Sequence, residues 1–274
     1  MGSDGTAFKR GEMKITDLGE LKGEVVLFGG PYSNAHATSA LLAGLDGRAA
    51  ICTGDIVAYC GEAMRTVRMI RDAKIPVVAG NCEVQLGAGA DSCGCGFEEN
   101  TTCDLLSAGW YGVASAAVDA ETRSWMQGLP DVIRFRHAGL SYGVIHGGVS
   151  DIARFLWPST KDEAFREEIA LLEDHIGRVD AVISGHSGIP FQRAIQDRLW
   201  INAGVIGMPP HDGRPETRYG VLRDDGVRFH RLSYDHHGAR ARMEEVGLTQ
   251  GYHSSLVSGI WPSEDVLPPE MRGT

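Results

Sequence analysis

The sequence predicts an α/β protein built on a mixed sheet. Three observations carry that reading. Apolar runs of strand length recur along the chain, helical periodicities with short links lie between several of them, and the last third turns to hairpin patterns. Strands are expected in EVVLFG (24–29), AAICTGD (49–55), IPVVAGN (75–81), SYGVIHGG (141–148), DAVISGH (180–186) and RLWINAG (198–204). Helices are expected in AHATSALLAGL and GEAMRTVRMIRDAK, after the first two runs, and in KDEAFREEIALLEDHIGRV, before the fifth. Near the C-terminus, FQRAIQDRLWINAG and RYGVLRDDGVRFHRLSY hold strand-like runs broken by turn signals such as Asp-Asp-Gly.

The stretch 84–128 differs. It is rich in glycine and polar residues, holds Cys93, Cys95 and Cys103, and reads as an insertion or cap over the sheet edge, closed by a helix in AVDAETRSWMQGL. From 236 to 274 two short helices and a tail are expected. With no repeat, coiled coil or linker, residues 1–274 read as a single domain.

The chain has 274 residues, 43% hydrophobic and 23% charged, which is enough for a sizeable core. A net charge of −10 argues against a nucleic-acid backbone as the main partner, because phosphate backbones select clustered Lys and Arg. It leaves room for a small phosphorylated substrate, since a bound metal reverses the local field. The N-terminal stretch lacks the apolar core of a secretory signal, and no run reaches 18 apolar residues, so a cytoplasmic protein without a membrane span is expected. Gly2 and the residues after it loosely fit a myristoylation signal, a match short enough to arise by chance. In that compartment the six cysteines should be thiols or metal ligands rather than structural disulfides. Oligomeric state, including a homo-oligomer, is left open.

In open α/β sheets ligands gather beyond the carboxyl ends of the strands. Here those ends read Gly54-Asp55, Gly80-Asn81-Cys82-Glu83, His146-Gly147-Gly148 and Gly185-His186-Ser187-Gly188. Any one of these polar residues is more often a turn cap or a satisfied core group than a ligand. Four in succession at strand-to-loop edges, each beside glycine, form a plausible shell for a divalent metal: one carboxylate, one amide carbonyl and two imidazoles.

The order of these motifs resembles the calcineurin-like metallophosphoesterase family, which reads Asp-x-His, Gly-Asp, Gly-Asn-His-Asp/Glu, a lone His, then Gly-His-x-His. The corresponding stretches are GPY (30–32), GD (54–55), GNCE (80–83), IHGG (145–148) and GHSG (185–188), with INAGVIGMP (201–209) similar to the family's closing turn. The resemblance spans roughly 24–235. It implies a four-layer sandwich of two mixed sheets flanked by helices, and a metal-dependent phosphatase or phosphodiesterase. It also implies one or two divalent or transition metal ions per chain, with zinc, iron, manganese and nickel as candidates. Carried across, it makes Asp55 the metal-bridging ligand, with Asn81, His146 and His186 completing one metal position. The other position is stripped: its ligands fall on Gly30, Tyr32 and Gly188. The histidine that contacts phosphate in the family is Cys82 here, and Asp55, Asn81, His146 and Cys82 are the expected catalytic set. The alternative is a non-catalytic metal- or ligand-binding descendant of the same fold.

Cys82, Cys93, Cys95 and Cys103 do not match a standard zinc or iron–sulfur spacing. They either supply thiolates to a soft metal, refilling the stripped position, or pack a loop as reduced thiols. Cys52 reads as core, and Cys60 as core or site lining. Tyr32, Asn34, Arg214 and Arg218 are the candidate substrate contacts, the arginines because phosphate recognition favours guanidinium groups. His36, one helical turn past the first loop, is placed to face the site. Trp-Pro-Ser occurs at both 157 and 261, too short a match to make a repeat.

Overall fold

The computed structural model describes residues 13–273. The myristoylation-like residues therefore lie outside the described part. Two sheets face each other. The smaller has strand order β10-β9-β2-β3, from β2 (Val25–Phe28), β3 (Ala49–Cys52), β9 (Thr217–Arg223) and β10 (Gly226–Leu232). The larger has order β1-β4-β5-β6-β8-β7, from β1 (Ile15–Leu21), β4 (Val132–His137), β5 (Leu140–Val144), β6 (Ala181–Ser184), β7 (Phe191–Ile195) and β8 (Arg198–Asn202). Both sheets are mixed. β2 runs parallel to β3 and antiparallel to β9, while β6 runs parallel to β5 and β8.

The alternation of strand side chains builds the layers. Val25 and Leu27 of β2, with Ile51, meet Tyr142, Val144, Ile183 and Ile201 of the other sheet in a core between the sheets. Val26 and Phe28 point the other way, into a cluster with α1 (Ala35–Ala43), α2 (Ala63–Asp72), α4 (Thr102–Ala117) and α7 (His236–Glu245). On the far side, Val182 and Trp200 pack against Phe165, Ile169 and Leu172 of α6 (Asp162–Ile176). Because both faces of the central strands are buried, they read as continuous apolar runs. The result is helices, sheet, sheet, helix, the four-layer sandwich expected.

Three readings need correction. Residues 75–81 do not form a strand. Pro76 has no N–H to give a ladder, Val77 makes one isolated bridge to Cys52, and Asn81 already opens α3 (Asn81–Ala88) with Gly80 as N-cap. The 84–128 stretch is largely helical, comprising most of α3, then α4 and α5 (Ala120–Gln127) around a loop at 89–101. β1 and β4 were not foreseen. Every residue of β1 is at least partly exposed, and two arginines in β4 alternate with apolar residues. The C-terminal part holds α7, α8 (Tyr252–Ser258) and a short 3-10 turn at Pro269–Met271. No helix among the described residues is long and apolar enough to cross a membrane.

The sheets meet at one end. Gly29, just past β2, donates to the Gly204 carbonyl at 2.9 Å, and its own carbonyl accepts from Ile206 N at 3.0 Å. The carboxyl ends of β2, β3, β5, β6 and β8 thereby open onto one edge.

Candidate metal centre

Four acceptor atoms converge at that edge. His146 Nε2 lies 3.0 Å from Asn81 Oδ1, 3.1 Å from His186 Nδ1 and 3.3 Å from Asp55 Oδ2. All four residues are buried. The neighbours fix which atoms face inward. His146 Nδ1 is 2.6 Å from the Thr53 carbonyl, which can only accept, so Nδ1 carries the proton and Nε2 presents a lone pair in the neutral ring. Asn81 Nδ2 donates to the Cys93 carbonyl at 2.9 Å and toward Cys95 Sγ at 3.5 Å, which leaves Oδ1 facing the centre. The second nitrogen of His186, Nε2, is buried without a hydrogen-bond partner among the described residues.

Such a cluster needs a cation or a proton at its centre: burial pushes the His146 imidazole down, but the Asp55 carboxylate more than offsets it and raises it, so a proton on Nε2 serves until an ion displaces it. Zinc–nitrogen and zinc–oxygen bonds of about 2.0–2.2 Å hold ligand atoms roughly 3–3.5 Å apart, and the three separations from His146 Nε2 match. The donor set of one carboxylate, one amide oxygen and two imidazoles therefore fits a divalent ion. Asp55, His146 and His186 each offer an atom within 4.8 Å of the others. Burial pushes the His186 imidazole down to about 3, aided by His146, so it stays neutral and able to ligate at pH 7. Burial alone would raise the Asp55 carboxyl, but the two histidines more than offset it and hold it ionised.

Backbone geometry places these groups. Asp55 and His186 sit at φ +57° and +61°, left-handed values uncommon for residues with a Cβ. Glu83 holds the Asp55 turn in place. Its carboxylate accepts from Asp55 N at 2.7 Å, Ile56 N at 2.8 Å and Gly80 N at 3.0 Å. Burial and the nearby Asp55 push the Glu83 carboxyl up to about 7. Sequence reasoning had no role for Glu83, since its partners at 55 and 56 are far away along the chain.

The place that the resemblance leaves without its usual ligands is partly taken up by other side chains. A Cβ on Gly30 would lie 2.6 Å from both Tyr32 Cζ and Val205 Cγ1, so the tyrosine ring and the valine occupy the space beside it. Gly188 instead opens toward the Trp261 ring, whose atoms would stand 3.8–3.9 Å from an added Cβ. Tyr32 is buried, and its phenol is held protonated by desolvation and then by Asp55.

Other candidates land elsewhere. Cys93 and Cys95 are joined in a disulfide, so in this state neither is a thiolate ligand, and the expectation of six thiols or metal ligands is corrected. Burial and the neighbouring Asp55 and Glu83 carboxylates raise the Cys82 thiol well above its usual range, and what reaches Asp55 is its backbone N–H, at 3.2 Å from Oδ1. Cys103 lines the cleft near Ser263. Cys52 and Cys60 are core. Asn34 is not a substrate contact, because it caps α1 through Ala37 N and donates to the Gly207 carbonyl. Arg218 pairs with Asp212, and neither it nor Arg214 lines the cleft. His36 turns to Glu62 and Asp235.

A cleft leads from Asp55 and His186 to solvent, with a cavity volume of about 60 Å³ and open space beyond it. Its walls are mainly aromatic. Tyr59 packs edge-on against Tyr32 at 4.7 Å between ring centroids, and Tyr252 lies 4.6 Å from Tyr59. Trp157 and Trp261, the two Trp-Pro-Ser tryptophans, both line it, which the short motif alone could not reveal.

The family model of the calcineurin-like phosphoesterase superfamily domain matches residues 31–224. The chain belongs to this superfamily. Among solved structures it is similar to a metallophosphoesterase from Sphaerobacter thermophilus, with a TM-score of 0.68 and 19% identity over 86% of this chain and 99% of the other. A hypothetical protein from Pyrococcus horikoshii OT3 is similar at a TM-score of 0.70 and 15% identity, over 86% and 98% of the two chains. At these identities the likeness shows the shared calcineurin-like fold. No curated protein matches the sequence.

Proposed function

We propose that the protein is a metal-dependent phosphoester hydrolase working at a mononuclear centre held by Asp55, Asn81, His146 and His186. The observation that carries this reading is the convergence of Asn81 Oδ1, His186 Nδ1 and Asp55 Oδ2 on His146 Nε2, with all four residues buried. Family membership supports the reaction class. A divalent ion there supplies Lewis acidity toward a phosphoryl oxygen and lowers the pKa of a water ligand.

The chain's own residues do the rest. Thr53 fixes the His146 tautomer, and the Cys93 carbonyl fixes the Asn81 amide. Glu83 keeps the Asp55 turn closed. The aromatic walls restrict water around the reacting ester, which strengthens electrostatic interactions inside. Tyr32, inserted at the second metal position, supports one ion rather than a two-metal clamp.

The test is metal content and phosphodiester hydrolysis of the purified protein beside Asp55→Asn. About one ion per chain is expected, with metal-dependent turnover that falls at least about 100-fold in the variant. Turnover that survives Asp55→Asn would place the site elsewhere. Metal binding with no turnover on any ester would favour the non-catalytic descendant.

A further inference from the structure

The cleft beside the metal centre has an unusual lining for a phosphoester site. Among the described residues lining it there is no lysine or arginine, and Asp55 is its one charged side chain apart from histidine. Arg218 is paired with Asp212, and Arg154 with Glu167 and Glu168. In place of cations the walls carry rings. Phe155 lies 4.3 Å from the His186 ring and stacks on Trp157 at 5.5 Å and an interplanar angle of 1°. Phe97 also stacks on Phe155, at 6.1 Å and 23°. Trp261 is held rigidly, its indole N–H donating to the Pro209 carbonyl at 2.7 Å and its backbone N–H to His211 Nδ1 at 2.8 Å. Its ring faces the space opened by Gly188.

We propose, resting on the phosphoester reading above, that this cleft selects a phosphodiester monoanion bearing an aromatic group and rejects phosphomonoester dianions. The phosphoryl oxygens sit at the Asp55–His186 end, and the aromatic group lies against Phe97, Phe155 and Trp261. A divalent ion on the Asp55 carboxylate leaves the centre one net positive charge, so a dianion would carry its second charge into apolar walls with no side-chain cation to meet it. A diester carries one charge, and its aromatic substituent gains offset or edge-on contacts with fixed rings.

The experiment is calorimetric titration of the zinc-supplemented protein with diphenyl phosphate, phenyl phosphate and dimethyl phosphate, with hydrolysis of each measured separately. Diphenyl phosphate is expected to bind about ten-fold tighter than either of the others. Trp261→Leu and Phe97→Leu should each shrink its advantage over dimethyl phosphate by about five-fold. Phe97 is only partly buried, so its variant keeps the test intact if loss of Trp261 unfolds the C-terminal segment. Phenyl phosphate binding as tightly as the diester, or a diester preference unmoved in the folded variants, would overturn the proposal, as would failure of all three to bind. A diester that binds with the expected preference but is not cleaved would sink the hydrolase reading and leave this one standing.

Discussion

At the scale of single residues, the cluster was legible because each member stands beside a glycine, Asp55, His146 and His186 just past strand ends and Asn81 at the start of α3. Asp55 follows Gly54, Asn81 follows Gly80, and His186 follows Gly185. What escaped was everything acting across long sequence separations. Glu83 is the clearest case: one carboxylate satisfies backbone donors of both the Asp55 turn and the α3 N-terminus. In Glu83→Gln one oxygen becomes an amide donor facing backbone N–H groups that have no other acceptor. Loss of a charge-assisted acceptor for buried donors costs about 1.5–3 kcal/mol. Denaturant unfolding should show a loss in that range, with metal affinity falling alongside because the Asp55 turn loosens. Unchanged stability would mean the turn holds itself without the carboxylate. The cysteines were misread for a related reason: a Cys-Gly-Cys sequence does not disclose whether its sulfurs face a metal or each other.

At the scale of elements, the continuous apolar runs identified the buried strands β2, β3, β5, β6 and β8, whose ends carry the site. The signal failed where burial was one-sided or absent. β1 packs only as an edge strand beside β4, with Ile15 exposed, so no apolar run marks it. α4 lay hidden in a glycine- and cysteine-rich context, although Thr101 caps it by accepting from Asp104 N. The junction between β3 and α3 is the closest approach that matters for function. Gly54 sits at φ +96°, and a Cβ there would meet Gly80 N at 2.7 Å, Gly80 Cα at 2.9 Å and His146 Nδ1 at 2.9 Å. Backbone cannot retreat as the tip of a flexible side chain can. Gly54→Ala should therefore destabilise the protein by more than about 1 kcal/mol. It should also weaken metal binding by roughly 10-fold or more, by displacing His146 and the Asn81 turn. Equal metal affinity in the variant, read by competition with a chelator, would show that the junction yields without disturbing the ligands.

At the scale of the whole molecule, the proposed metal centre is a joint. Asp55 extends from the smaller sheet, His146 and His186 from the larger, and Asn81 from the first turn of a helix packed outside the smaller one. An ion bound by all four ties both sheets and a helix layer together. Such a site does not survive unfolding, so occupancy is linked to global stability. At a free zinc concentration about 100 times the dissociation constant, linkage adds about 2.7 kcal/mol. For a chain of this size that corresponds to a rise in Tm of roughly 5–10 °C. The rise should be reversed by chelator and should be absent in His146→Ala, where the central nitrogen and its anchor on the Thr53 carbonyl disappear together. A shift of the same size in His146→Ala would mean that the ion stabilises the fold from a different place. Because this readout needs no substrate, it separates the existence of the centre from the chemistry performed there.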